Sequence, residues 1–219
     1  RSVKAGLKIP LNYMENFDLT PEEAAIVDST HFILLKNRAI DKVMVLMGRL
    51  QEVLAAHDRV SGFPFEPAWQ LQGGKISKGE QYKGLPWVML DYPRYFSKTD
   101  VFAFRTMFWW GHYFIGTLHL AGSIKVRFSA ALESGYTKLA EAGFQVYLQE
   151  NPWEHDLGNG NYCFIDTLSF DEWKKLLSRY EFIKLARFYA IGHWGEIINE
   201  VAAAYAVLLN ILDNNKEPA

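Results

Sequence analysis

Apolar residues recur along this chain with two different periods. The change from one to the other separates helices from strands. Thr20, Pro21 and Glu23 mark a first helix start: threonine caps, proline suits the first turn, and glutamate returns a hydrogen bond to the cap. A longer helix is predicted over Thr30–His57, where Phe32, Leu35, Ala39, Val43, Met47, Leu50 and Leu54 recur at steps of three and four. Such a helix would be about 40 Å long, and its stripe suits covering a sheet or pairing with another helix. Gly62, Pro64 and Pro67 end it. Further helices are predicted from about Lys125 to a stop at Gly143, over "FDEWKKLLSR" behind a Ser169/Glu172 capping pair, and over the closing "HWGEIINEVAAAYAVLLNIL".

Between these lie the strand signals. "PWVMLDYPRYF" reads as a strand ended by Pro93, and "FQVYLQE", "YCFIDTL" and "EFIKLARFYAIG" read as three more. The longest apolar run, Val101–Gly122, is long enough to cross a membrane. Arg105 argues against a span, since a central arginine costs about 2.5 to 3.5 kcal/mol on insertion scales. His112, His119 and the internal glycines argue the same way. Two buried strands joined at Gly111-His112 fit better, with Trp110 opposite Tyr113 in a type II′ hairpin. That register sets Arg105 against Leu118 on one face and His119 against Phe104 on the other. A loop of odd length would bring Arg105 and His119 onto one face.

Helices come first, then strands, then a mixture, without steady strand–helix alternation. The expected fold class is α+β, a largely antiparallel sheet covered by helices, in one domain over 1–219. Residues 1–18 are expected to form an irregular arm and 213–219 a frayed tail.

Composition changes this picture little. The chain has 219 residues, 22% of them charged, and a formal net charge of -2. That lacks the basic surplus of a general nucleic-acid binder. Aromatics make up 15%, which suits either a ring-rich core or a ring-lined pocket. The single Cys163 has no disulfide partner within the chain, so a reducing, cytoplasmic setting is the expectation, with the thiol packed and inert. The N-terminal stretch has no continuous apolar run after its basic residues and does not read as a signal peptide.

The candidate chemistry is sparse. "GGKISKGEQYKG" has the composition of a phosphate loop but not its spacing, and reads better as a flap. No HExxH, GxSxG or dinucleotide GxGxxG occurs, so no metal or cofactor is expected. "NPWEHDLGNGNY" sets Glu154, His155 and Asp156 side by side, which reads as a solvated loop with an acid–base or ligand role as its alternative. Arg105, buried among apolar residues, needs an acid. Glu133 or Glu141 on a covering helix would serve, or the carboxylate or phosphate of a ligand. The functional expectation is therefore a pocket beside the sheet for a small acidic ligand. Arg105 and Arg94 would bind, Trp87, Trp109 and Trp153 would form walls, and His119 would be a further contact. An enzyme would add His119 or His155 as acid–base. The competing expectation is an interaction protein, with the aromatic hairpin or a helix as a dimer or partner interface.

Overall fold

In the computed structural model, the structure describes residues 17–67, 73–158 and 160–213. By compactness the chain divides into two units, 1–41 and 42–219, and the division falls inside one helix. In the first unit, α1 (Pro21–Val27) starts at the expected box: Thr20 accepts from the Glu23 N–H, and Glu23 accepts from the Thr20 N–H. Helix α2 (Thr30–Ala56) begins here and continues into the second unit. Its stripe is buried only in part. Val43, Met47, Leu50 and Leu54 are fully covered, whereas Phe32 and Leu35 are about half exposed.

The second unit holds a seven-stranded sheet. Its strands are β1 (Lys75–Tyr82), β2 (Leu85–Phe96), β3 (Val101–Trp109), β4 (Tyr113–Ala121), β5 (Gln145–Tyr147), β6 (Tyr162–Phe164) and β7 (Phe182–Ala190). The order is β1-β2-β3-β4-β7-β5-β6, and every pairing is antiparallel. The class is α+β. The glycine- and lysine-rich stretch expected to be a flap is β1, paired to β2 through a two-residue turn. Lys83 and Gly84 there have φ of 51° and 80°, as a type I′ turn requires. Pro93 does not end β2. The register shifts between Asp91 and Arg94, and the strand runs on to Phe96. Such an irregularity accommodates a residue that has no N–H to give the ladder.

The central hairpin differs from its expected register by one residue. Trp109, not Trp110, pairs with Tyr113, across a three-residue turn in which Gly111 takes φ 74°. Arg105 therefore faces Thr117, and His119 faces Ala103. A shift of one exchanges faces, so Arg105 and His119 lie on the same side of the sheet.

The other side is covered by helices α3 (Asp58–Ser61), α4 (Gly122–Ser134), α5 (Tyr136–Glu141), α6 (Phe170–Arg179) and α7 (Ile197–Asp213). Phe104 of β3 stacks on Tyr205 of α7 at 3.8 Å, and Phe102 meets Phe128 of α4. Trp173 of α6 donates its indole N–H to the Leu132 carbonyl. Gly135, between α4 and α5, lies so close to Ile211 that a Cβ would sit 2.5 Å from its Cγ2. Burial of these rings and aliphatic chains supplies most of the driving force for folding. No helix among the described residues is long and apolar enough to cross a membrane.

The partial burial of α2 has a measurable consequence. Met47→Ala, at a fully covered position, is expected to lower the unfolding free energy by about 2–5 kcal/mol. Phe32→Ala, on the same stripe, is expected to change it by about 0.5 kcal/mol or less. Urea denaturation of both variants checks the contrast.

Candidate functional site

The side of the sheet opposite α3–α7 carries a different set of residues. Following the registers, one row runs from Asp91 through Arg105 and Thr117 to Ala186 and Gln145. The next holds Ala103, His119 and Lys184. Met89, Met107 and Ile115 continue this side toward Trp109, which is buried with Tyr147 and Tyr162. The segment Asn151–Leu157 lies over these rows and takes the place of a covering helix.

Arg105 is held by Asp91, its neighbour across the β2–β3 ladder. Nε donates to Oδ1 at 2.6 Å and Nη2 to Oδ2 at 3.0 Å, a two-pronged fork. Both side chains are about nine-tenths buried. The acids expected to pair with Arg105, Glu133 and Glu141, are exposed on helices of the opposite face. Strand neighbours reach a buried guanidinium over a shorter path than a helix across the sheet. Phe96 and Trp153 cover the guanidinium, with ring centres 6.0 and 5.8 Å from Cζ.

Asn151–Leu157 is tied down by side chains of the sheet. Nη1 of Arg105 lies 3.3 Å from Nε2 of His155. Arginine only donates, so Nε2 accepts and the imidazole proton sits on Nδ1. That Nδ1 is buried with no partner among the described residues. Lys184 donates to the Glu154 carbonyl, with its Nζ 4.2 Å from the centre of the Tyr147 ring. Tyr147 donates to the Asn151 carbonyl at 2.7 Å, and Tyr113 accepts from the Leu157 N–H at 2.8 Å. The Glu154 carboxylate accepts from Tyr82 and from the N–H groups of His155 and Asp156. Lys83 pairs with Asp156. The row Glu154–Asp156 is thus not a solvated loop: His155 is 5% exposed, buried because Arg105 draws it in.

Charge is unevenly distributed here. Asp91 neutralises Arg105. Lys184 is 1% exposed, and no carboxylate oxygen among the described residues lies within ion-pair distance of it. Its pKa is lowered to about 7, chiefly by burial and in part by the Arg105 charge, with Glu154 opposing. Burial, with Lys184 and Arg105 adding to it, pushes His119 down to about 3. The same causes hold His155 well below the ordinary histidine range, and burial holds the Tyr162 hydroxyl well above the tyrosine range. His119 Nε2 and the Tyr162 hydroxyl are also buried without partners among the described residues.

Beside this network lies a cleft of about 440 Å³, lined by Trp87, Met89, Met107, Arg105, Trp153 and His155, and by the outer strand at Gly79–Tyr82. Gly79 makes room for the Trp87 indole, which stands 2.6 Å from where a Cβ would be. A larger depression of about 550 Å³, among Arg59, Lys138, Glu141 and Asn210, has none of the buried unpartnered polar atoms on its walls. No three metal-ligating side chains cluster among the described residues. Of the sequence candidates, Arg105, Trp87 and Trp153 meet at the cleft, and His155 joins them. His119 stands edge-on to Trp153 at 5.5 Å, beneath the segment. Trp109 does not line the cleft: it is buried in the core, stacked on His112 at 3.6 Å. Arg94 is also elsewhere, donating to the Gly73 carbonyl at 3.0 Å.

Lys184 is the residue that sequence reasoning missed. Its signal is nonetheless present: alternation in "FIKLARFYA" sets it in line with Phe182, Ala186 and Phe188, the one cation in an apolar row. No family model matches the chain, and neither a curated protein nor a solved structure matches it.

Two outcomes are expected for this network. Arg105→Met leaves Asp91 buried and unpaired, and should cost about 3–5 kcal/mol, while Arg105→Met/Asp91→Leu recovers most of that loss in urea denaturation. For Lys184 the folded pKa lies below the unfolded one. The cost of burying its charge is therefore full below about pH 7 and disappears as pH rises to about 10.5. Wild-type stability minus that of Lys184→Met should increase across this window, measured by chemical denaturation in a pH series.

Proposed function

We propose that this chain binds a small acidic ligand with a flat apolar body in the cleft between Trp87 and Trp153. The observation that carries the reading is the meeting of two indoles, two methionine side chains and a fixed guanidinium around one space of about 440 Å³. Of the five N–H groups of Arg105, two go to Asp91 and one to His155. Two remain for a carboxylate or another acceptor of the ligand. Asp91 holds the guanidinium in one orientation, so little side-chain entropy is left to lose on binding. Lys184 adds a second buried cationic group against Asp91, the single buried carboxylate among the described residues, which favours an anion. Trp87 and Trp153 supply rigid apolar area for a ring. His119 and His155 are held neutral, and in this reading they orient hydrogen bonds instead of carrying charge.

A partner interface is the second reading, favoured by one observation. Phe32, Ile33, Leu34 and Leu35, at the start of α2, are four consecutive exposed apolar residues. The aromatic hairpin offers no comparable surface, since Phe102, Phe104, Phe108 and Phe114 are buried within the chain. A second copy of this chain is the occupant to test. Light scattering on a sizing column should give a dimer that Leu34→Glu converts to monomer; a wild-type monomer at high concentration removes this reading.

The ligand reading is tested by thermal unfolding with benzoate, phenylacetate and indole-3-acetate beside their amides. A ligand at about 100 times its Kd stabilises by about 2.7 kcal/mol, or several degrees in a chain of this length. At least one acid should raise the wild-type Tm more than its amide does. Trp153→Ala, at a half-exposed position, should fold normally and lose most of that shift. No shift by any acid, or an equal shift in the variant, would reject the reading.

A further inference from the structure

Asn151–Leu157 covers Lys184 and His119 and buries its own His155 against the sheet, with no free acid of the sheet beside them. Lys184, His119 and His155 are 1%, 5% and 5% exposed. The one buried carboxylate on this side among the described residues, Asp91, has both oxygens engaged by Arg105. Protonating His119 or His155 would therefore add a charge beside Arg105 and Lys184 with nothing to balance it. His119 Nε2 has no partner among the described residues, and on His155 the added proton would go to Nε2, which already faces an Arg105 N–H. An unpaired buried charge is costly, and the least costly relief is to expose the group. For all three residues, exposure means moving the same short segment.

We infer that Asn151–Leu157 is an acid-released cover: protonation of His119 and His155 below neutral pH drives the segment off the sheet. It does not depend on the ligand assigned to the cleft, although Trp153 and His155 leave the cleft wall when the segment moves.

The groups around these imidazoles all act in one direction or stay out of the way. Lys184 of β7 stands directly across the ladder from His119 of β4, and Arg105 of β3 touches His155. Both repel an imidazolium. From β5 and β6, Tyr147 and Tyr162 face Lys184, and both hydroxyls are raised above the ordinary tyrosine range, so they remain neutral in acid. Asp91 of β2 is bound by Arg105. The Glu154 carboxylate, on the segment itself, is turned to Tyr82 and Lys83 of the β1–β2 hairpin and to its own backbone N–H groups.

The sign follows from linkage. His119 sits at about 3 while covered and returns to about 6.5 when exposed. The open form then binds the proton more tightly, so falling pH favours opening throughout that interval. Between pH 7 and pH 5 one such imidazole raises the open-to-covered ratio about 25-fold. His155, lowered for the same reasons, acts with it. Lys184 contributes at higher pH, from about 10.5 down to about 7, and is nearly saturated below that.

Hydrogen exchange tests the inference without any ligand. The amides of His155, Asp156 and Leu157 are all hydrogen-bonded in the covered form. Their protection, corrected for intrinsic rate, should fall at least tenfold between pH 7.5 and pH 5 relative to the amides of Phe104–Phe108. In His119→Gln/His155→Gln, where glutamine at 155 keeps an acceptor for Arg105, that relative loss should shrink to about twofold. No relative loss in the wild type, an equal loss in the β3 amides, or the same loss in the variant each overturns the inference. Imidazole NMR of the wild type gives a second reading that needs no variant. His119 and His155 should protonate together, steeply, as the segment loses protection. Titration of either with protection intact also overturns it.

Discussion

The two hydrogen bonds from Arg105 to Asp91 organise the side of the sheet opposite α3–α7. They neutralise the guanidinium and fix its plane, and so set where its third N–H points. His155 meets that N–H and is drawn under the surface, bringing Trp153 and Glu154 with it. The segment then places its own Glu154 carbonyl over Lys184 and its Asn151 carbonyl over Tyr147. Removing either member of the pair would leave a buried charge in the middle of the sheet.

The two sides of the sheet are stabilised by different physics. On the helical side, rings and aliphatic chains exclude water, as where Phe104 stacks on Tyr205. On the other side the cover is a short irregular segment, and hydrogen bonds from sheet side chains hold it. Apolar packing is insensitive to pH. A cover resting on neutral imidazoles and a depressed amine is not, because each of these groups gains a charge more easily outside than inside. Binding of an acidic ligand and release of the cover would involve the same few residues, since Trp153 and His155 belong both to the cleft wall and to the moving segment.

Much of the fold is legible in the sequence because it is set by local chemistry. The boxes at Thr20/Glu23 and Ser169/Glu172 form as their spacing implies. The length of α2 follows its periodicity, and Val101–Gly122 holds two strands at the centre of the sheet, as a run apolar on both faces implies. The errors arise where one residue of register decides. A turn of three residues instead of two moves His119 to the side of Arg105. An irregularity in β2 carries the strand past Pro93.

The candidate site was half visible. Arg105, Trp87 and Trp153 were nameable, because a buried arginine and clustered indoles are unusual wherever they occur. Trp109 looks the same in sequence yet belongs to the core. Asp91 as partner, and Lys184 beneath the segment, depend on which strands lie side by side: β2 beside β3, and β7 between β4 and β5. Capping, periodicity and desolvation act over a few residues, so the α+β class, the capped helix starts and the need of Arg105 for a counter-charge are readable in the chain, whereas the break at Gly135 and the start of the last helix at Ile197 are not. Which acid meets that need, which basic groups go without one, and what covers them emerge only when the chain is folded, because strand order and hairpin register are long-range choices that no local spacing encodes.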